Sequence, residues 1–191
     1  MRKVERGELL PLSEYETVRD RFRARIIEHK RARRVAIGPH MSAVFEDRDS
    51  VLHQIQEMLR TERITREDAI LHEIETYNEL IPADRELSLT LFVEIPDQAT
   101  RDRMLVELEG LEQTFYLEVD GRRLPARSET RGVIPGRTTA VHYAKIPLDA
   151  EAIATLRAGK GKWAVGAAHP RYEHHTELAP QTVASIAHDV A

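Results

Sequence analysis

The spacing of apolar residues changes near residue 86, and this change constrains the fold more than any other feature of the sequence. Before it, the segments 13–34, 47–63 and 65–80 repeat apolar residues at the period of an α-helix. After it, apolar residues alternate with mostly polar ones, which predicts a half-buried strand. The apolar members of this strand are Leu87, Leu89, Leu91, Val93 and Ile95.

The two sides of this boundary predict different architectures. Residues 1–82 predict one long helix followed by a helical hairpin, in which Asp47 or Asp49 caps the first hairpin helix. Residues 83–191 read strand–helix–strand–strand–helix–strand, which is typical of a split β-α-β, ferredoxin-like sheet. We therefore expect one continuous α+β domain, with the N-terminal helices packed against a ferredoxin-like antiparallel sheet layer.

The amino-acid composition excludes several classes of function. The chain has no cysteine, which excludes disulfides, thiol catalysis and iron–sulfur ligation by its own residues. It has no apolar run of transmembrane length, and its first residues lack the apolar core of a signal peptide. We expect a soluble, cytoplasmic protein, and the sequence predicts no cofactor.

Charge is distributed unevenly along the chain. Residues 1–34 contain 11 Lys and Arg against 6 Asp and Glu, a net charge of +5, whereas the whole chain has −4. Two interpretations are open: a basic helix that docks on an acidic body, or a surface that binds nucleic acid. The basic segment has few aromatic residues to stack on bases, which argues against single-stranded nucleic acid.

Several polar residues fall on apolar helical stripes or at a turn, where a ligand site could form. A buried carboxylate requires a partner, so these positions predict either structural ion pairs or a functional polar site. His40 belongs to the set because it follows the Gly38-Pro39 turn, and Arg60 because it offers an anion clamp. The candidate ligand-binding residues are His29, Arg33, His40, Arg60, Glu62 and Asn78.

Two histidine patterns suggest other sites. His53 and Glu57 have the spacing of a helical metal pair, but helical geometry places them opposite the apolar stripe, so we predict an exposed surface that could bind a partner. His169, His174 and His175 are candidate metal ligands, with a polar loop as the alternative. In an enzyme or sensor, His29, His40 or His142 would serve as acid–base groups.

Four motifs resemble one family of bacterial proteins, domain of unknown function 3501. They are residues 33–40 (RRVAIGPH), 45–50 (FEDRDS), 54–63 (QIQEMLRTER) and 77–82 (YNELIP). Members are often encoded beside a rubrerythrin and an iron–sulfur oxidoreductase, so the resemblance implies an accessory or binding protein of such a redox system. The alternatives from the residues themselves are a ligand- or metal-dependent enzyme or sensor, and a nucleic-acid binder that uses the first helix.

Overall fold

The computed structural model describes residues 1–128 and 134–190. Its α-helices are α1 (Leu12–Arg31), α2 (Arg48–Thr61), α3 (Glu67–Asn78), α4 (Gln98–Glu107), α5 (Ala150–Arg157) and α6 (Pro180–Ala187). Short 3-10 helices lie at Arg6–Glu8, Leu111–Gln113 and His188–Val190. The long helix and the helical hairpin expected in the N-terminal part are α1, α2 and α3. Within the described residues, no helix is both long and apolar enough to cross a lipid bilayer.

The strands form two antiparallel sheets. They are β1 (Arg34–Ile37), β2 (Met41–Glu46), β3 (Glu86–Val93), β4 (Phe115–Val119), β5 (Arg122–Pro125), β6 (Arg127–Ser128), β7 (Val141–Pro147), β8 (Trp163–His169) and β9 (Tyr172–Glu177). The five-stranded sheet has the order β1-β2-β3-β7-β6, and the four-stranded sheet has the order β5-β4-β8-β9.

One face of each sheet contributes to a single hydrophobic core. Alternate residues of β3 enter this core from the five-stranded sheet, and Phe115, Leu117 and Trp163 enter it from the four-stranded sheet. Helices α4, α5 and α6 add apolar residues to the same core. The other face of β3 is covered as well, since Ser88 and Thr90 on that face are buried.

The helices α2 and α3 build a second, smaller core. Val51, Ile55 and Leu59 of α2 pack with Ile70 and Ile74 of α3, and Tyr143 of β7 packs against this cluster. The helical hairpin therefore covers part of the outer face of the five-stranded sheet.

The α+β class is confirmed, but the strands divide between two sheets instead of forming one ferredoxin-like layer. Strand β2 pairs with β3 from Met41↔Val93 to Glu46↔Ser88, and β7 pairs along the opposite edge of β3. Both edges of β3 are thus occupied, so β4 and β8 pair with each other in a separate sheet. The segment 169–175, for which the sequence predicts a polar loop or a metal site, joins the end of β8 to strand β9.

Candidate functional site

A cleft lies where the helices meet the outer face of the five-stranded sheet. We call it the helix–sheet cleft, and its volume is about 200 Å³. The strands supply Glu46, Thr90, Phe92, Val141 and Tyr143, and the helical side supplies Lys30, Val51, Gln54 and Leu80. The lining combines apolar walls with a few polar groups, which is the usual composition of a small-molecule site.

The carboxylate of Glu46 is the buried polar group of this cleft. Glu46 ends β2 and is only 7% exposed. Its Oε1 accepts a hydrogen bond from the Thr90 hydroxyl at 2.7 Å, and its Oε2 lies 2.5 Å from the Ser50 hydroxyl. Among the described residues, Glu46 forms no ion pair. A carboxylate that is buried with hydroxyl partners alone has no cation beside it to compensate a negative charge.

Lys30 places a positive charge at the same cleft. It lies in the last turn of α1 and is partly buried. In the part of the chain that the structure describes, its ammonium group makes no hydrogen bond and no ion pair. Lys30 and Glu46 are the charged side chains among the described lining residues of the cleft.

Ser88 adds an unsatisfied hydroxyl to this side of the sheet. Its position in β3 is paired with that of Glu46 in β2. Ser88 is 1% exposed, and its Oγ has no hydrogen-bond partner within the described residues. A buried hydroxyl without a partner is uncommon and marks a place where the polar groups are incompletely satisfied.

A second set of charges lies directly behind the cleft. This Arg33 network consists of His29, Arg33, Asp47, Ser185 and Asp189. Arg33 is buried just beyond the end of α1 and donates hydrogen bonds to Asp189 and to Ser185 Oγ, the latter at 3.0 Å. Its Nη1 lies 3.5 Å from Asp47 Oδ2, and His29 Nε2 lies 2.5 Å from the same oxygen.

The network also fixes the backbone around the cleft. Arg33 Nε donates to the carbonyl oxygen of Phe45 at 2.7 Å, and Nη2 donates to that of Glu46 at 3.3 Å. Asp47 caps α2 by accepting the N–H of Ser50 at 2.9 Å. The network therefore holds the end of β2, and with it Glu46, in place.

The two aspartates of the network differ in pKa. Burial raises the pKa of Asp189 to about 6, although the Arg33 charge opposes this shift. Burial also acts to raise the pKa of Asp47, but the Arg33 charge, the Ser50 N–H and His29 outweigh it and lower that pKa. The ionised form of Asp47 is thus the better stabilised of the two.

Of the six candidate ligand-binding residues, the structure brings His29 and Arg33 together and separates the others. His40 lies at the β1–β2 turn, and its N–H donates to the Tyr172 hydroxyl at 3.0 Å. Arg60 donates to Glu16 of α1 at 2.7 Å. Neither lines the helix–sheet cleft.

Glu62 and Asn78 also lie apart from the cleft. Glu62 falls on the apolar stripe of α2 by helical position, but it is exposed at the end of the helix, where the turn leaves it in water. Helix α2 ends at Thr61, so the next position of its apolar stripe is reached by water. Asn78 is buried and clamps the backbone of Val4, accepting its N–H at 2.8 Å and donating to its carbonyl oxygen at 2.9 Å. This is a structural role.

The predicted exposure of His53 and Glu57 is also wrong, because α1 packs on this side of α2. Glu57 accepts hydrogen bonds from Arg19 at 2.8 Å and from the Tyr15 hydroxyl at 2.6 Å. The hydrogen bonds from Arg19 in particular lower the pKa of Glu57 to about 2. His53 stacks edge-on against Phe22, and burial lowers its pKa.

The three candidate metal-ligating histidines do not converge. His169 is buried at the end of β8, with Nε2 lying 3.1 Å from the Glu109 carbonyl oxygen. His174 and His175 are consecutive in β9, so their side chains project from opposite faces of the sheet. Within residues 1–128 and 134–190, no three His, Cys, Asp or Glu side chains are placed to hold a metal ion.

His142 lies in the core on the other side of the five-stranded sheet. Its Nε2 lies 3.2 Å from the Thr138 hydroxyl, which donates to Glu112 at 3.2 Å. Burial lowers the pKa of His142, so the neutral imidazole is favoured. The lining of the helix–sheet cleft does not include it.

Sequence reasoning missed Glu46, Lys30 and Thr90. Glu46 ends strand β2, and Thr90 lies on the side of β3 that the alternation of apolar and polar residues predicts to face water. The signal that could have found them is the amphipathic hairpin 47–80, whose apolar stripe needs a surface to cover. That surface is the polar face of β3. Polar residues that a helix covers in this way are buried, and they can form a binding site.

The described chain is thus an α+β protein with two antiparallel sheets and a small cleft, with apolar walls and a few polar groups, between the helices and one sheet. The family model described as protein of unknown function (DUF3501) matches residues 3–190, so the chain belongs to this family. A crystal structure of a novel protein of unknown function from Burkholderia pseudomallei K96243 is similar, with 33% sequence identity, complete coverage of both chains and a TM-score of 0.92. No curated protein matches the sequence.

Proposed function

We propose that this protein binds a small molecule in the helix–sheet cleft. The observation that carries the proposal is the Glu46 carboxylate, which is buried at the cleft with hydroxyl partners and no counterion among the described residues. Burying a charge without a counterion costs free energy, and a ligand that supplies donors recovers it.

The dimensions of the cleft favour a metabolite-sized ligand. Its volume of about 200 Å³ is below the roughly 300–1,000 Å³ that is typical of pockets for drug-sized ligands. Val51, Leu80 and Phe92 give the ligand an apolar surface to contact. The Arg33 network behind the cleft holds the β2–α2 junction in position before a ligand arrives, which reduces the entropic cost of binding.

Blocking the cleft tests this function. Val141 lines the cleft and is 40% exposed, so Val141→Trp places an indole at the cleft while keeping a residue that strands accept. Val106 on α4 is 53% exposed and outside the cleft lining, so Val106→Trp is the matched control. A library of small metabolites would be screened by thermal shift against the wild type and both variants.

We expect hits that raise the melting temperature of the wild type and of Val106→Trp but not of Val141→Trp. A ligand held at 100 times its Kd stabilises the folded state by about 2.7 kcal/mol, which such a screen detects. Hits that stabilise Val141→Trp equally would place binding elsewhere. A library that stabilises none of the proteins would count against a binding function.

The accessory role in a redox system stays a prediction from the family resemblance, and a ligand-binding protein could serve it as a sensor. Tagged protein would be used to capture partners under oxidising and reducing conditions. Recovery of a rubrerythrin or an iron–sulfur oxidoreductase is the expected result. Capture of neither under both conditions would argue against this role.

The nucleic-acid hypothesis gains little from the surface of α1. Arg19 is paired with Glu57, Arg31 with Glu28, and Arg25 lies over the ring of Phe22. These contacts compensate part of the basic charge within the protein. Binding through α1 would fall steeply as salt rises, so absence of binding to duplex and single-stranded probes at low salt would exclude it.

A further inference from the structure

We propose that the ligand of the helix–sheet cleft is a small zwitterion, with a protonated amine at Glu46 and a carboxylate at Lys30. This inference rests on the proposed binding function and specifies the ligand class. It follows from the charges, the hydrogen-bond capacity and the apolar surface of the cleft.

The Glu46 carboxylate has unused hydrogen-bonding capacity. An ionised carboxylate offers about four lone-pair sites, and the hydroxyl groups of Ser50 and Thr90 occupy one on each oxygen. Among the described residues no cation completes the shell. A protonated amine brings both a positive charge and three N–H donors, whereas a neutral hydroxyl brings one donor and no charge.

Lys30 requires the opposite group. Its ammonium is unpaired within the described residues and comes from the helical side of the cleft, whereas Glu46 comes from the sheet. A ligand of one sign would satisfy one of these charges and leave the other unpaired or repelled. A molecule that carries both an amine and a carboxylate satisfies both of them, because the described lining has one charge of each sign.

The remaining walls select an apolar substituent. Val51, Leu80 and Phe92 form apolar walls of the cleft, and Val51 and Leu80 also belong to the core of the helical hairpin. A cleft of about 200 Å³ with this lining suits an aliphatic amino acid better than a peptide or a nucleotide. We therefore assign α-amino acids with apolar side chains as the ligand class.

The first experiment compares one ligand with its two halves. The twenty standard amino acids would be screened by thermal shift on the full chain, and the strongest binder would be measured by calorimetry beside its decarboxylated and deaminated analogues. For leucine these analogues are 3-methylbutylamine and 4-methylpentanoate. We expect the amino acid to bind at least tenfold more tightly than either analogue, and Val141→Trp to abolish the binding.

Charge-removing variants then assign each end of the ligand. Glu46→Gln keeps an acceptor but removes the charge, so affinity for the amino acid and for the amine falls at least tenfold while the carboxylate analogue binds no more weakly. Lys30→Met gives the mirror result, with the carboxylate analogue most affected. Lys160→Met, at an exposed lysine outside the cleft, leaves all three affinities unchanged.

The results separate this inference from the binding function itself. If a neutral or singly charged molecule binds in a manner that Val141→Trp blocks, and no amino acid does, the zwitterion is wrong and the binding function stands. If Lys30 and Glu46 instead pair with each other, the two substitutions destabilise the unliganded protein non-additively and no amino acid binds, which also overturns the inference. If Val141→Trp blocks the binding of no metabolite and of no amino acid, both the binding function and the zwitterion are wrong.

Discussion

Two buried or half-buried glutamates on neighbouring elements show how partners decide the role of a residue. Glu57 is matched by the guanidinium of Arg19 and the hydroxyl of Tyr15, so its charge is used within the protein. Glu46 has hydroxyl groups alone as partners in the described residues, so its charge is available to a ligand. The first arrangement predicts a contribution to stability, and the second predicts a contribution to binding.

Replacing Glu57 by Gln tests the stabilising role. We expect Glu57→Gln to lower the free energy of unfolding at pH 7 by about 1–2 kcal/mol, because charge-assisted hydrogen bonds to Arg19 are lost at a partly exposed site. The folded-state pKa of Glu57, about 2, lies below its ordinary value of 4.5. Its contribution is therefore complete above pH 4.5 and disappears as pH falls toward 2. Urea unfolding from pH 3 to 7 measures this difference.

Glu62 provides the control for this prediction. It is exposed at the end of the same helix, so Glu62→Gln should change stability by less than about 0.5 kcal/mol at every pH. Equal stability losses for Glu57→Gln and Glu62→Gln, or a loss for Glu57→Gln that does not shrink in acid, would contradict the assignment.

At the residue scale, the sequence predicts the side of an element on which a side chain lies better than it predicts the residues that contact this side chain. Helical geometry correctly places His53 and Glu57 opposite the apolar stripe of α2. It cannot show that α1 lies on that side, because the contact of Tyr15 and Arg19 with Glu57 joins residues 42 and 38 positions apart. The cleft residues are missed for the same reason, since Lys30, Glu46 and Thr90 meet only after the sheet has formed.

At the scale of elements, the approach of β9 to β1 depends on Gly38. Gly38 has φ of +64°, and a Cβ atom there would lie 2.6 Å from His174 Cγ and 2.8 Å from the Tyr172 hydroxyl oxygen. The Tyr172 hydroxyl donates to the Ile37 carbonyl oxygen at 2.6 Å and accepts the His40 N–H. The turn therefore joins the edges of the two sheets.

We expect Gly38→Ala to destabilise the protein by about 2–5 kcal/mol. A positive φ costs an alanine about 1–2 kcal/mol, and the overlap with β9 adds a cost of about 1–3 kcal/mol for overpacking. Gly159→Ala separates the two causes, because Gly159 has φ of +61° but no atom within 4 Å of an added Cβ. Denaturant unfolding of both variants gives the comparison, and equal losses would show that the contact with β9 contributes nothing.

Elements with a strict hydrophobic period are predictable, and β9 shows where this fails. The hairpin helices and β3 have one apolar stripe each, so their positions follow from the sequence alone. β9 contains mostly polar residues because it is an edge strand, and one of its faces is exposed. The division into two sheets is likewise decided by pairing between strands that are distant in the sequence. The hydrophobic period of a strand does not indicate which strand it pairs with.

At the scale of the whole molecule, Arg33 connects the β2–α2 junction to the C-terminal segment. It binds the β2 backbone and faces the cap of α2, and its contacts with Ser185 and Asp189 cross 152 and 156 residues of sequence. The sequence marks Arg33 as a polar residue next to the core, but its acidic partner near the C-terminus has no local signature. The network makes the geometry of the cleft depend on the C-terminal segment.

Removing the Arg33 guanidinium should therefore destabilise the entire fold. We expect Arg33→Met to cost about 3–5 kcal/mol at pH 8, because Asp47 and Asp189 become buried charges without their cation. Arg31→Met is the matched control, since Arg31 is exposed and pairs only with exposed Glu28, and it should cost less than about 0.5 kcal/mol.

The partner of Arg33 is identified by a second substitution and by pH. Arg33→Met with Asp189→Asn should cost less than the sum of the single changes, because the amide needs no counterion. The loss in Arg33→Met should also be smaller at pH 5 than at pH 8, since Asp189, with a pKa of about 6 beside Arg33, binds a proton and becomes neutral in acid. Urea unfolding of the four proteins at both pH values measures the coupling. Strict additivity, or a loss independent of pH, would mean that Arg33 acts through its backbone contacts with β2 and that the C-terminal segment is held by other interactions.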